Sequence, residues 1–264
     1  AHLSNISGIP LPNLPPYNIK GNLSDRDQGW DIENFIGKIG DSDLKGKIRI
    51  DLSGKQTFVK ADLLSKKIDL DDFGPMLGIA PDTGPGETAS PAQQREAKKQ
   101  AASKFSLPTK PIDFKKLENI HVDIKLTSST IKTDLPIDNL TTHVIIQNGH
   151  LTLSPLNFGV ADGKISSHVE IDARAKPVQT KVETEIRHLR LKQILKKWDI
   201  SADSAGLIGG KAIYWLKGNS LADMFSSADG GMLMLMTGGK LDDLLVELSG
   251  LDLGEALVAL FDKE

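Results

Sequence analysis

There is no cysteine among the 264 residues, which excludes disulfides, thiolate metal sites and cysteine nucleophiles together. Aromatic residues make up only 5% of the chain, so a sugar-stacking glycosidase cleft has little to be built from. Neither sign of charge dominates: 32 Lys and Arg stand against 35 Asp and Glu, for a net charge of -3. A basic nucleic-acid footprint is therefore missing from the totals, and so is a strongly acidic solvating tail. No apolar run reaches the roughly 18–20 residues needed to span a bilayer as a helix. The chain opens at Ala1 without a basic n-region or an apolar h-region. This reads as a soluble protein, or as a soluble piece of a longer one. Its length suits one large all-β domain or two smaller units. With 39% hydrophobic residues, apolar side chains must be spent one face at a time.

What is present is alternation. Pro10, Pro12, Pro15 and Pro16 mark an extended entry segment. Leu44, Ile48, Ile50 and Leu52 then share one face at period two, with Lys47, Arg49 and Asp51 on the other. That pattern means a sheet with one dry and one wet face. Asp69 to Phe73 reads as a helical corner. Residues 81–111 break the pattern with Pro81, Gly84, Pro85, Gly86, Pro108 and Pro111 around an Ala-, Gln- and Lys-rich stretch. Ser90 followed by Pro91 can cap a short helix there; composition favours the alternative, an excursion without a core of its own.

Strands return from residue 112. Ile120, Val122, Ile124 and Leu126 share a face. Asn148-Gly149 and Asp162-Gly163 are hairpin turn signals. Val169, Ile171 and Ala173 alternate with His168, Glu170 and Asp172, and the slip of apolar phase to Leu189 and Leu191 implies a bulge. Leu191 to Trp198 reads as a short helix, Lys211 to Leu216 as a strand, and Ser220 with Asp223 as a capping box. Leu241, Leu244, Leu245 and Leu248, then Leu253, Leu257 and Leu260, recur at helical spacing. The expected organisation is a first β unit over 1–80, a flexible or helical excursion over 81–111, a second β unit over 112–238, and a helical segment, truncated, over 239–264. Residues 46–73 also echo 167–194 at an offset of 121 positions, with Ile50, Asp51, Lys55, Lys60 and Leu70 meeting identical residues, which reads as two copies of one supersecondary unit.

The chemistry-bearing residues do not assemble. His2, His121, His143, His150, His168 and His188 show no helical ligand spacing. His121 and Asp123 share a strand face, but zinc needs three or four ligands. Gly206, Gly209, Gly210 and Lys211 miss the phosphate-loop spacing, because Ala205 and Ala212 stand at its obligatory positions. Ser-x-x-Lys at Ser42 and again at Ser129 is a loose match in strand-like context. Trp30, Trp198 and Trp215 read as covers for core edges rather than ligand platforms. Met232, Met234 and Met236, alternating with Leu233 and Leu235, form a strand apolar on both faces. Pattern alone favours a core strand beneath a helix; the other reading is an adaptable groove wall. The chain is expected not to be an enzyme and to use neither metal nor cofactor.

Several short segments resemble the AsmA family in their order along the chain. They begin with Gly40-Asp41-Ser42-Asp43-Leu44-Lys45-Gly46 leading into Ile50-Asp51-Leu52, then Ala61-Asp62-Leu63-Leu64-Ser65 and Ile68-Asp69-Leu70-Asp71-Asp72-Phe73. They continue with Asn148-Gly149-His150-Leu151-Thr152-Leu153-Ser154-Pro155-Leu156, Asp162-Gly163-Lys164-Ile165 and Ile171-Asp172-Ala173-Arg174, and end with Leu216-Lys217-Gly218-Asn219-Ser220 and Ala228-Asp229-Gly230-Gly231. Gln56-Thr57 departs from the basic residue and proline often found at that point. The resemblance runs from about Leu11 to Leu260.

It implies an inner-membrane-anchored periplasmic protein linked to outer-membrane biogenesis, of which this chain would be a fragment without the anchor. It also implies similarity to bridge-like lipid carriers. The expected fold is mainly β, a curved and twisted antiparallel sheet forming a groove or open barrel from repeated β units, with a few short α-helices. The expected partner is lipid, phospholipid first, with an outer-membrane or periplasmic protein as a further one and no nucleic acid. The alternative is a scaffold or assembly module that meets outer-membrane protein biogenesis machinery by strand addition at sheet edges. The candidate groove or core lining is Leu44, Ile48, Ile50, Leu52, Ile120, Val122, Ile124, Leu126, Val169, Ile171 and Ala173.

Overall fold

The computed structural model describes residues 15–101, 107–133, 135, 137–197 and 205–239. Eleven strands form one sheet in strict chain order. They are β1 (Tyr17–Arg26), β2 (Gly29–Ile39), β3 (Ser42–Asp51), β4 (Thr57–Asp69), β5 (Ile120–Lys132) and β6 (Ile137–Gln147). They continue with β7 (His150–Val160), β8 (Gly163–Asp172), β9 (Gln179–Arg190), β10 (Ala205–Lys217) and β11 (Asp229–Gly239). The sheet is open: among the described residues β1 and β11 are its two edges. The expected curved β sheet with few short helices is present, with one amendment. β4 and β5 run parallel, so the sheet is mixed.

That parallel pair explains the sequence between the two strands. Antiparallel neighbours need only a tight turn, whereas a parallel pair needs a crossover of a dozen residues or more to carry the chain back to the starting rim. Residues 70–119 are that crossover. They hold 3₁₀ turns at Leu70–Asp72, Gly74–Leu77 and Phe114–Asn119, and helix α1 (Pro91–Ala101). Of the two readings of 81–111, the capped helix is the one formed. The Ser90 hydroxyl accepts from the Gln93 amide at 3.3 Å, and the Gln93 side chain accepts from the Ser90 amide at 2.8 Å. This is a reciprocal capping box with proline at the first helical position.

The short turns follow the residue types. Asn148 and Gly149 both take positive φ, as the tight β6–β7 hairpin requires. The next turn is centred one residue earlier than its Asp-Gly signal suggests. Ala161 and Asp162 take the positive φ values, and Gly163 opens β8. Glycine is needed there for room: a Cβ on Gly163 would press on the Leu189 backbone.

Register shows why the sheet curves. Side chains directly opposite across neighbouring strands share a face. One row runs Trp30–Ile50–Val59–Val122–Ile146–Leu151–Ile171–Thr180–Leu216. The next runs Ile32–Ile48–Ala61–Ile124–Val144–Leu153–Val169–Val182–Tyr214. A third runs Phe35–Gly46–Leu63–Leu126–Thr142–Leu156–Ser167–Thr184–Ala212. The β2 bulge between Ile32 and Phe35 and the β7 bulge between Leu153 and Leu156 both fall between the second and third rows. Each is also seen from the strand on its other side, as the register shifts at Lys20/Asn22 of β1 and Thr142/Val144 of β6. A bulge bends its strand and increases local twist, so these bulges add to the curvature of the sheet.

The phase slip near Leu189 is a bulge as well, with His188 at φ 55° and a register shift against β10. The internal echo extends to hydrogen-bond register. Ile50 faces Val59 and Asp51 faces Phe58 in one hairpin; Ile171 faces Thr180 and Asp172 faces Gln179 in the other, at the same offset of 121. Each hairpin ends in a helical corner, Leu70–Asp72 in the first and α2 (Leu191–Lys197) in the second.

Two clusters of buried apolar residues sit at opposite strand ends. At one rim α2 packs Leu191, Ile194 and Leu195 onto Val160, Leu189 and Ile208. At the other, Phe114 and Met224 of helix α3 (Leu221–Ser226) close over Ala173, Val178 and Leu216. Ser220 caps α3 by accepting from the Asp223 amide at 3.1 Å. Trp198 and residues 240–264, where the C-terminal helices were expected, lie outside the described residues.

Candidate functional site

Between the two rim clusters the apolar rows have no complete second layer among the described residues. Ile48, Ile50, Ile124, Leu126, Val144, Leu151, Leu153 and Val169 are half-buried rather than buried, while Ile171 and Val182 pack against the Phe114 rim cluster and Phe35, Ala61 and Val122 are buried. A closed core would bury most of the first set completely. A curved sheet shelters such residues partly and leaves a trough above them.

The predicted lining residues distribute along this trough in an orderly way. Ile50, Val122 and Ile171 occupy one row; Ile48, Ile124 and Val169 occupy the next; Leu126 lies in the third. Three sets far apart in sequence are thereby brought into shared rows. Ile120 faces Thr57 at the start of β5. Leu44 is buried near one rim at 6% exposure, and Val122 at 5%. Leu52 lies just past β3 and is exposed, whereas Ala173, just past β8, belongs to the rim cluster under Phe114.

The opposite face is charged and self-paired. Arg49 donates to Asp31 at 2.7 Å, Lys47 meets Asp62 at 3.2 Å, and Lys60 meets Asp123 at 3.4 Å. His143 bonds Asp123 at 2.7 Å, which with Lys60 holds that carboxyl below its ordinary value. The pair His121 and Asp123 therefore does not converge on a metal: His121 lies against the Phe58 ring at 4.6 Å while Asp123 serves His143 and Lys60. Arg174 draws the Asp172 carboxyl down to about 2. Exposed pairs of this kind contribute little stability each; they keep this face wet. Gly206, Gly209, Gly210 and Lys211 lie inside strand β10, not in a loop.

One feature escaped the sequence. Ser42 and Asp69 are fully buried where β3 begins and β4 ends, and Asp72 is nearly so. The Ser42 hydroxyl donates to Asp72 at 2.6 Å, while the Ser42 and Asp41 amides donate to the same carboxylate at 2.8 and 3.0 Å. Burial pushes the Asp72 carboxyl up to about 6, helped by neighbouring Asp69 and opposed by the Ser42 bonds. Asp41, Asp69 and Glu87 offer carboxylate oxygens close enough to hold a cation together. The Lys132 ammonium already stands there, 2.7 Å from Asp69 and 2.6 Å from Glu87. This is an ionic lock between the β3–β4 corner and the crossover, and Ser42 of the loose Ser-x-x-Lys match is one of its structural members.

The apolar strand near the C-terminal end also differs from expectation. β11 pairs with β10 alone among the described residues. Met232, Leu233, Met234 and Leu235 are 52, 64, 44 and 66% exposed. It is an open edge strand, not a strand buried beneath a described helix.

Fold and site together define a groove-forming β protein: an open curved sheet with an apolar floor, a charged back and two capped rims. The AsmA family model matches residues 13–263, and the chain belongs to the AsmA family. It is similar to the AsmA family protein YhjG of Escherichia coli (strain K12), with 30% identity over 266 residues. That alignment takes in 97% of this chain and 38% of YhjG, so the chain spans well under half of that relative. No solved structure matches it. Among the described residues no helix is long and apolar enough to cross a membrane.

Proposed function

We propose that this chain is a non-enzymatic lipid-binding segment that holds or conducts phospholipid acyl chains along its curved apolar face, in the periplasm of an inner-membrane-anchored protein. Membership of the AsmA family supports a role in envelope or outer-membrane biogenesis. The observation that carries the lipid reading is the floor itself, in which apolar rows cross eight strands and stay largely half-buried, with no complete covering layer among the described residues. Strands of 10–13 residues span about 33–43 Å each. An acyl chain on such a floor gains about 0.8 kcal/mol per buried CH₂, while a charged headgroup stays in water at the mouth.

Mass spectrometry of organic extracts from the protein purified without detergent tests this. Co-purifying phospholipid, displaced by charges placed on the floor, is the expected result; a lipid-free protein that also binds no added phospholipid overturns it. The second reading, a scaffold engaging outer-membrane assembly proteins by strand addition, is favoured by one feature, the exposed edge strand β11. A protein partner whose capture survives detergent and is lost when β11 is interrupted by proline would support it.

A further inference from the structure

The third row across the sheet is not uniformly apolar. It runs Leu126–Thr142–Leu156–Ser167–Thr184–Ala212. The Ser167 and Thr184 hydroxyls lie 3.0 Å apart on β8 and β9. Their neighbours along the same face are Ile165 and Val169 on one strand and Val182 and Ile186 on the other. Two strands away in the same row, Thr142 is only 7% exposed and its hydroxyl oxygen meets no partner. This row lies next to the β7 bulge between Leu153 and Leu156.

We infer that Ser167 and Thr184, with Thr142 two strands away in the same row, form a hydrogen-bonding station on the groove floor, at which the Ser167–Thr184 pair receives the carbonyl oxygen of an acyl lipid. The inference rests on the groove reading above. Two hydroxyls bonded to each other use one of their two protons; the second O–H remains available as a donor. While the trough is open, water accepts from it. When an acyl chain is laid over the floor that water leaves, and a hydroxyl donor without an acceptor is costly. Hydrocarbon cannot accept, and an ether oxygen is a poor substitute for a carbonyl. An acyl carbonyl supplies an acceptor and brings no donor of its own, which matches what the floor lacks. The face also holds two further hydroxyls that meet no partner, Thr142 in this row and Thr180 in the first. The station gives the otherwise featureless trough a register: acyl-linked lipids pause with their linkage at the Ser167–Thr184 pair, and lipids without a carbonyl do not.

The test is isothermal titration of the protein with dioctanoyl phosphatidylglycerol and with its dioctyl ether counterpart, both monomeric in water. The ester lipid is expected to bind about tenfold more tightly, the scale of one well-made hydrogen bond. In the double variant Ser167→Ala, Thr184→Val the ester affinity should fall to the ether value while the ether affinity stays unchanged, which also shows that the variant is folded. Should the double variant not fold, Ser167→Ala alone is titrated, and the wild-type ratio decides in any case. Equal binding of the two lipids by the wild type overturns the station and leaves the groove standing. A tenfold preference that survives the substitutions overturns the assignment to these residues. Failure of both lipids to bind overturns the groove reading itself.

Discussion

Replacing Ile124 by aspartate puts a carboxylate at the centre of the trough. Ile124 lies between Ala61 on β4 and Val144 on β6 and is half-buried. Burying an isoleucine fully stabilises by about 1.5–3 kcal/mol, so losing a half-buried one should cost about 1 kcal/mol of folding. The introduced carboxylate keeps its water, because the floor is open, and adds little to that cost. The effect on lipid should be much larger. One side-chain position covers one strand spacing, about 4.8 Å, which an acyl chain crosses with three or four methylenes. At about 0.8 kcal/mol each, their lost burial amounts to about 3 kcal/mol, or roughly a hundredfold in affinity. Urea unfolding and phospholipid titration measured on the same preparation separate the two quantities. A hundredfold loss of binding with a small loss of stability is expected. Destabilisation of several kcal/mol, as from a carboxylate forced into closed core, would refute the open floor; unchanged binding with unchanged stability would refute the contact.

Other consequences are as specific. Asp72 holds its proton up to about 6 in the native chain against 3.8 when unfolded. The folded state therefore binds more protons between these values, and stability contributed by this group is lost as pH rises from about 4 to about 6. The change amounts to about 3 kcal/mol, and Asp72→Asn should remove that slope from a pH series of urea midpoints. Ser90→Ala breaks the capping box and should cost about 1 kcal/mol locally, seen as faster amide exchange within α1. Gly46 has φ near +149°, and a Cβ there would overlap the Asp62 carbonyl of β4. Gly46→Ala should therefore lower stability by about 2 kcal/mol or more in thermal unfolding.

Much of the sheet was legible because alternation at period two is a local signal. Ile48 and Ile50, or Val169 and Ile171, declare their shared face without knowledge of their neighbours. Asn148-Gly149 and Ser90-Pro91 are equally local, since each carries its backbone requirement in its own residue types. What escaped depends on partners distant in sequence. That β5 returns parallel to β4 is decided by the crossover and by packing, not by any residue within either strand. The placing of the β2 and β7 bulges between the same two rows is visible only once the register is known. The lock of Asp69, Asp72, Ser42, Glu87 and Lys132 joins residues up to 90 positions apart, with no shared spacing to betray it. Ser167 and Thr184 read as ordinary small strand residues until register set them side by side on the floor. The exposure of β11 likewise contradicts its composition, because an apolar run states a preference for burial but not whether a neighbour supplies it.

The central claim is that the face bearing Ile48, Ile124 and Val169 meets lipid while its reverse meets water. Site-specific photocrosslinking in cells that make the protein tests it most directly, with the probe at Val169 and, as the control for the other face of the same strand, at Glu170. Lipid adducts at Val169 and none at Glu170 are expected. Adducts at both positions alike, or at neither in a normally folded protein, would contradict the groove.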